Sequence, residues 1–141
     1  IGESNESNNC KASTTTIQVT KPDLVINSLS DPPGSAIRGS SFSVTDTTAN
    51  IGSGNAGVST TRYRLSLDAT ITTSDPLLTG SRSVSSLAVG ASSTGTVTVT
   101  IPTSIAAGTY YLGACADYGN KIGESNESNN CKTSTTTIQV N

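Results

Sequence analysis

The sequence predicts an all-β sandwich of seven short antiparallel strands. Three observations predict it. Apolar residues recur at every second position in short runs, the period at which a strand places successive side chains on opposite faces. Gly, Pro and Asn separate those runs, and these are the residues that turns demand. No stretch of the 141 residues carries a convincing helical period.

The elements follow in order. Residues 23–29 (DLVINSL) read as the first strand, ended by Pro32, Pro33 and Gly34. Phe42 and Val44 alternate with Ser and Thr in a second, which closes at Asn50, Ile51 and Gly52. Tyr63, Leu65 and Leu67 alternate with Arg62, Arg64 and Ser66 in a third. Val84 and Leu87 mark a weaker fourth before a turn at Gly90, and Val97, Val99 and Ile101 alternate with Thr in a fifth. Tyr110, Leu112, Ala114 and Ala116 line one face of a sixth, and residues 133–140 form the seventh. Seven such strands joined by short turns match an immunoglobulin-like or fibronectin-III-like sandwich, which takes about 100 residues.

Composition sets the character of that sandwich and excludes several functions. The chain holds 23 Ser and 23 Thr but only 28 Leu, Ile, Val and Phe together, so the core must be thin. Net charge is only −2, which argues against disorder despite the low apolar content. Thr suits an exposed strand face because its branched Cβ favours extended backbone. Eight Lys and Arg against ten acids leave no basic patch for nucleic acid. There is no His, so a Ser-His-Asp triad is impossible and nothing points to an enzyme. No run approaches the roughly 18 apolar residues that span a membrane, so no insertion is expected. With no Met, the chain is expected to be a processed or excised piece.

The two ends carry the most informative feature. Residues 1–19 read IGESNESNNCKASTTTIQV and residues 122–140 read IGESNESNNCKTSTTTIQV, differing only at Ala12 and Thr133. The offset is 121 residues. Residues 1–20 are therefore read as the last hairpin and strand of a preceding unit, and residues 21–141 as one complete unit of a tandem array. Only Thr20, Lys21, Pro22 and Asp23 separate the apolar runs on either side of the boundary. Pro22 fixes its own φ and biases Lys21 toward extended backbone, so neighbouring units are expected to stack as a rod.

Each full unit owns two cysteines, Cys115 and Cys131, because Cys10 is the preceding unit's copy of Cys131. They fall on the last two strands and are expected to form a disulfide outside the core, with Cys10 left unpaired. Such a bond implies an oxidising, extracellular setting.

Residues 117–130 (DYGNKIGESNESNN) concentrate the potential chemistry. Asp117, Glu124, Glu127, Asn129 and Asn130 offer oxygens of the kind Ca²⁺ accepts, although their spacing matches no EF-hand loop. The competing reading is hairpin chemistry, in which these side chains bond their own turn and no metal is needed for folding. Asn5 and Asn126 each begin an Asn-x-Ser acceptor for N-glycosylation. Tyr111 and Tyr118 are the only pair expected to offer an exposed aromatic surface.

Four of these segments carry a resemblance. PDLVI at residues 22–26, the Asn50-Ile51-Gly52 turn, GTYYLGACAD at residues 108–117 and IGESNESNN at residues 122–130 resemble the CARDB family, the cell-adhesion-related domain of bacteria and archaea. The resemblance implies a seven-stranded sandwich, often in tandem on secreted or surface proteins, and implies no catalytic activity. The added cysteine pair departs from it. Together these readings give a non-enzymatic structural repeat of an extracellular stalk, adhesin or filament. Its expected partners are identical neighbours, end to end. The competing class is an adhesion module that grips surface glycans or proteins around Tyr111 and Tyr118.

Overall fold

Alternation in the sequence becomes two faces in space. In a computed structural model of the chain, which describes residues 9–141, the strands are β1 (Leu24–Leu29), β2 (Ser35–Ala36), β3 (Ser41–Asn50), β4 (Ser59–Ser66), β5 (Leu77–Val84), β6 (Ser92–Thr100), β7 (Gly108–Cys115) and β8 (Cys131–Val140). One layer has the order β1-β3-β6 and the other β5-β4-β7-β8-β2. The long strands pair antiparallel, as expected of a sandwich.

The two layers are one sheet curled on itself. Strand β5 pairs with β4 through residues such as Ser81 and Val84, and with β6 through Thr79 opposite Thr100. Gly80 sits where β5 changes partner, at a φ of 118°. A Cβ there would come within 2.8 Å of the Thr98 carbonyl oxygen, so glycine is required at this bulge.

Inward positions supply the core: Leu24 and Ile26 from β1, Val44 from β3, Tyr63 and Leu65 from β4, Leu78 and Val84 from β5, and Val99 from β6. Leu112 and Ala114 from β7 meet Ile138 and Val140 from β8. Outward positions of β3 and β6 form a hydroxyl ladder in which Ser41 meets Thr100, Thr45 meets Thr96 and Thr47 meets Thr94, at 2.7–2.8 Å. This is the Thr-rich solvent face that the composition predicts.

Three details differ from the sequence reading. There are eight strands rather than seven, because Ser35 and Ala36 add a parallel edge to β8. Two residues are too few to show alternation. The weak fourth strand lies earlier than Val84 and Leu87 suggest, at Leu77–Val84, and Leu87 makes only an isolated bridge to Ala56. Leu67 follows the last residue of β4 and is 74 % exposed, so the third strand's alternation ends one step before it.

The interior also contains an ion pair. Asp46, fully buried on β3, accepts two hydrogen bonds from the Arg82 guanidinium on β5, one of them from Nε to Oδ2 at 3.0 Å. The Tyr63 hydroxyl on β4 donates to the same carboxylate, and Arg82 also reaches the Ser93 carbonyl at 3.0 Å. Burial raises the Tyr63 pKa, and the bond to Asp46 raises that of Arg82, so the guanidinium stays charged and the phenol neutral. Every strong donor faces an acceptor, and both layers contribute. Removing one partner leaves an uncompensated buried charge, which typically costs about 3–5 kcal/mol. Arg82→Ala is therefore expected to lower unfolding free energy by about that amount in urea titrations. An effect below about 1 kcal/mol would mean the pair is solvated.

Candidate functional site

The end of the sandwich where β1 begins gathers nearly every group singled out from residues 117–130. Cys115 and Cys131 sit opposite each other in the β7–β8 register, with Cα atoms 4.0 Å apart, and form a disulfide. The bond closes a 16-residue separation, worth about 3 kcal/mol in the loop-entropy picture. Cys10 is free and exposed.

Above the disulfide the chain turns on Asp117, whose φ is 51°. The buried Asp117 carboxylate accepts from the Lys121 N–H at 3.0 Å and the Ile122 N–H at 3.1 Å. Asn126 is exposed, and its Oδ1 accepts from the Ser128 N–H at 2.9 Å and hydroxyl at 2.7 Å. Much of the polar content of this hairpin is thus used to hold its own turns. Asn5, the other glycosylation candidate, lies outside the described residues.

The rest of the polar content grips the segment that leads into β1. Glu124, 6 % exposed, accepts the Leu24 N–H on Oε2 and the Asn130 side-chain amide on Oε1 at 2.9 Å. Ser125 N–H donates to the Pro22 carbonyl at 3.0 Å, and Asn129 Nδ2 donates to Asp23 Oδ2 at 3.2 Å. On the opposite side stands Asn50, fully buried. Its Oδ1 accepts from Asp23 N–H and Gly52 N–H at 3.1 Å, while its Nδ2 donates to the carbonyls of Gly54 and Leu87. Ile51 N–H donates to the Asp23 carbonyl, and the N–H groups of Ser53 and Gly54 both donate to that of Lys21. A Cβ on Gly52 would lie 2.5 Å from the Lys21 oxygen, so only glycine lets the segment approach. Residues 21–24 are held from both sides, whereas the sequence offered Asn50 only as a turn residue and Glu124 as a turn residue or Ca²⁺ ligand.

Three carboxylates converge at this clamp. Asp117, Glu124 and Glu127 each bring one oxygen within 4.8 Å of the others. Asn129, expected as a fourth oxygen ligand, presents its nitrogen to Asp23 instead, and its Oδ1 is buried without a partner. Burial raises the Glu124 carboxyl to about 7, with hydrogen bonding to Glu127 and the charge of Asp117 adding to the rise. Converging carboxylate oxygens are the donors that a hard cation such as Ca²⁺ accepts.

The aromatic pair is not brought together. Tyr118 is exposed and lines a cleft of about 600 Å³ with Arg64, Ile71, Asp117 and Glu127, and the Arg62 guanidinium lies 5.0 Å from its ring centre. Tyr111 does not line that cleft and pairs in mid-strand with Ser66 and Thr137. Tyr111 lies four steps along the strand from Cys115, roughly 13 Å.

A family model described as CARDB matches residues 21–134. Among solved structures, the CARDB domain of a Pyrococcus furiosus protein, in complex with di-metal ions, superposes with a TM-score of 0.59 at 19 % identity, covering 94 % of this chain and all of that one. A domain of a Methanosarcina acetivorans protein, described as a cell surface protein, gives 0.57 at 23 % identity over 86 % of this chain and 93 % of that one. These likenesses are of fold. Comparison with curated proteins gives no match.

The position of Glu124 has a consequence for stability. Its folded value of about 7 lies above the ordinary 4.5, so the folded chain keeps a proton that the unfolded chain releases. That contribution is complete below about pH 4.5 and is lost as pH rises through about 7. In EDTA, melting temperature is expected to fall between about pH 5 and about pH 8, and Glu124→Gln, which mimics the protonated acid, should flatten the slope. A wild-type profile that is flat or rises with pH would contradict this.

Proposed function

The chain belongs to the CARDB family, and we propose on that premise that it is a structural repeat unit of an extracellular stalk, adhesin or filament, in which disulfide-stapled sandwiches stack into a rod. The observation that carries the reading is the repetition of residues 1–19 at 122–140. The place their pattern would fill in a sandwich, strand β8, is already occupied by Cys131–Val140. Residues 9–20 accordingly form no strand, and Ile17 is 87 % exposed. In an array the same residues would complete the unit upstream.

Three further features support a structural role outside the cell. The Cys115–Cys131 bond persists in oxidising surroundings. The clamp on residues 21–24 fixes how the chain enters the domain, which a rod requires and a flexible string does not. Nucleophile–base pairing of the Ser-His type is impossible without His. Electron microscopy of the native material tests the proposal. Filaments with an axial repeat of roughly 30–45 Å, one sandwich length, are expected. Isolated compact particles would overturn it.

A second reading is favoured by a specific observation: Asp117, Glu124 and Glu127 converge, and a relative of the same fold was solved with di-metal ions. A divalent cation held there would lock residues 117–130 onto β1 and relieve the carboxylate repulsion, as an accessory to the structural role. It would reverse the pH slope, because binding needs Glu124 ionised. At about pH 8, adding Ca²⁺ after EDTA should then raise the melting temperature of the wild type but not of Glu127→Gln. An unchanged wild-type melting temperature would leave the hairpin as a purely polypeptide clamp.

A further inference from the structure

The two ends of the domain treat one backbone position in complementary ways. At the trailing end, Asn141 follows β8, and its N–H donates to the Ala36 carbonyl at 2.9 Å while its carbonyl accepts from the Arg38 N–H at 3.0 Å. These are main-chain bonds and do not depend on the side chain. Counting by the 121-residue offset, Asn141 occupies the place of Thr20. At the leading end the next residue, Lys21, has its carbonyl bonded to Ser53 and Gly54. A Cβ on Gly54 would lie 3.1 Å from the Thr20 carbonyl carbon.

Placed in series, then, residue 20 would be bonded on both its N–H and its carbonyl to the upstream unit, while residue 21 is bonded to the downstream unit. Consecutive Cα atoms are about 3.8 Å apart. The upstream corner at Ile37, flanked by the two residues that bond position 20, must therefore lie beside the downstream turn that bonds position 21. Each surface carries large apolar side chains that nothing covers. Ile37 is 69 % exposed and borders a groove of about 490 Å³ shared with Pro33, Ala36 and Phe42. Ile51 is 62 % exposed, and the exposed Val89 stands next to it because Gly90 N–H bonds the Asn50 carbonyl.

We propose that neighbouring units touch directly, the Ile37–Arg38 corner and its groove receiving Ile51 and Val89 of the next unit, with no free residue between them. This rests on the tandem reading and deepens it by naming the contact. The partner is a second copy of this chain's own unit, since the repeat places one there.

The test compares residues 1–141 with a chain extended to two complete units. The two-unit chain is expected to melt about 3 °C or more above the single unit. Ile37→Asp or Ile51→Asp should each remove most of that rise, yet leave the single unit unchanged because both side chains are exposed there. A short Gly-Ser insertion between residues 20 and 21 should have the same effect without altering either unit. Equal melting of one and two units, with the variants and the insertion silent, would overturn the contact. That outcome is separable from failure of the tandem reading, which would show instead as a native protein whose mass holds a single unit.

Discussion

Scarcity of large apolar side chains is the constraint on which the rest of this structure depends. With 28 Leu, Ile, Val and Phe in 141 residues, the two layers share a core only one side chain deep on each face. Small cores of this kind gain from covalent or polar ties. The chain places three such ties at different heights. Asp46 and Arg82 join the layers in the middle, Asn50 and Glu124 hold the incoming segment at one end, and the disulfide closes the hairpin above β7 and β8. In the central tie the buried carboxylate is fully engaged, whereas the clamp leaves Asp23 Oδ1, Asn129 Oδ1 and Asn130 Oδ1 buried without a partner.

Most of the fold was legible because strand alternation is a local signal. Tyr110, Leu112 and Ala114 point inward as their spacing says, and the Thr residues of β3 and β6 point out. What could not be read was non-local or brief. Strand β2 has two residues and exists only because β8 offers it an edge. Strand β5 changes partners at Gly80, a choice set by the closing of the sheet rather than by its own sequence. Asp46 occupies an inward position of β3 in a run of Ser and Thr, and Arg82, 36 residues away, supplies the opposite charge that makes that tolerable. An inward charge in one strand and an outwardly unneeded arginine in another was the available signal.

The candidate site shows the same division. Asp117, Glu124 and Glu127 stood out by residue type, and they do meet. Their main occupation was hidden, since Glu124 is bonded to the backbone of Leu24, 100 residues away. Asn50 was visible as a turn former but is a four-way junction that spends both faces of its amide on the linker and its neighbours. A hairpin rich in Asn and Glu is here less a ligand cup than a socket for the start of its own domain, and any cation it accepts acts on that socket.

The directions of β1 and β8 bear on what happens when such a chain is pulled by its ends. Both strands begin at the clamped end and finish at the other, so tension enters at residue 21 and leaves at residue 141 along the length of both. The ladders joining β1 to β3 and β8 to β7 are then loaded in shear, all rungs together, rather than unzipped one at a time. Behind the Cys115–Cys131 bond, the intervening loop lies off the load path, and roughly 50 Å of contour is withheld from extension even if the sheets part. A string of these units would resist stretching stiffly and, once a unit yields, lengthen by a step shorter than its residue count alone would give.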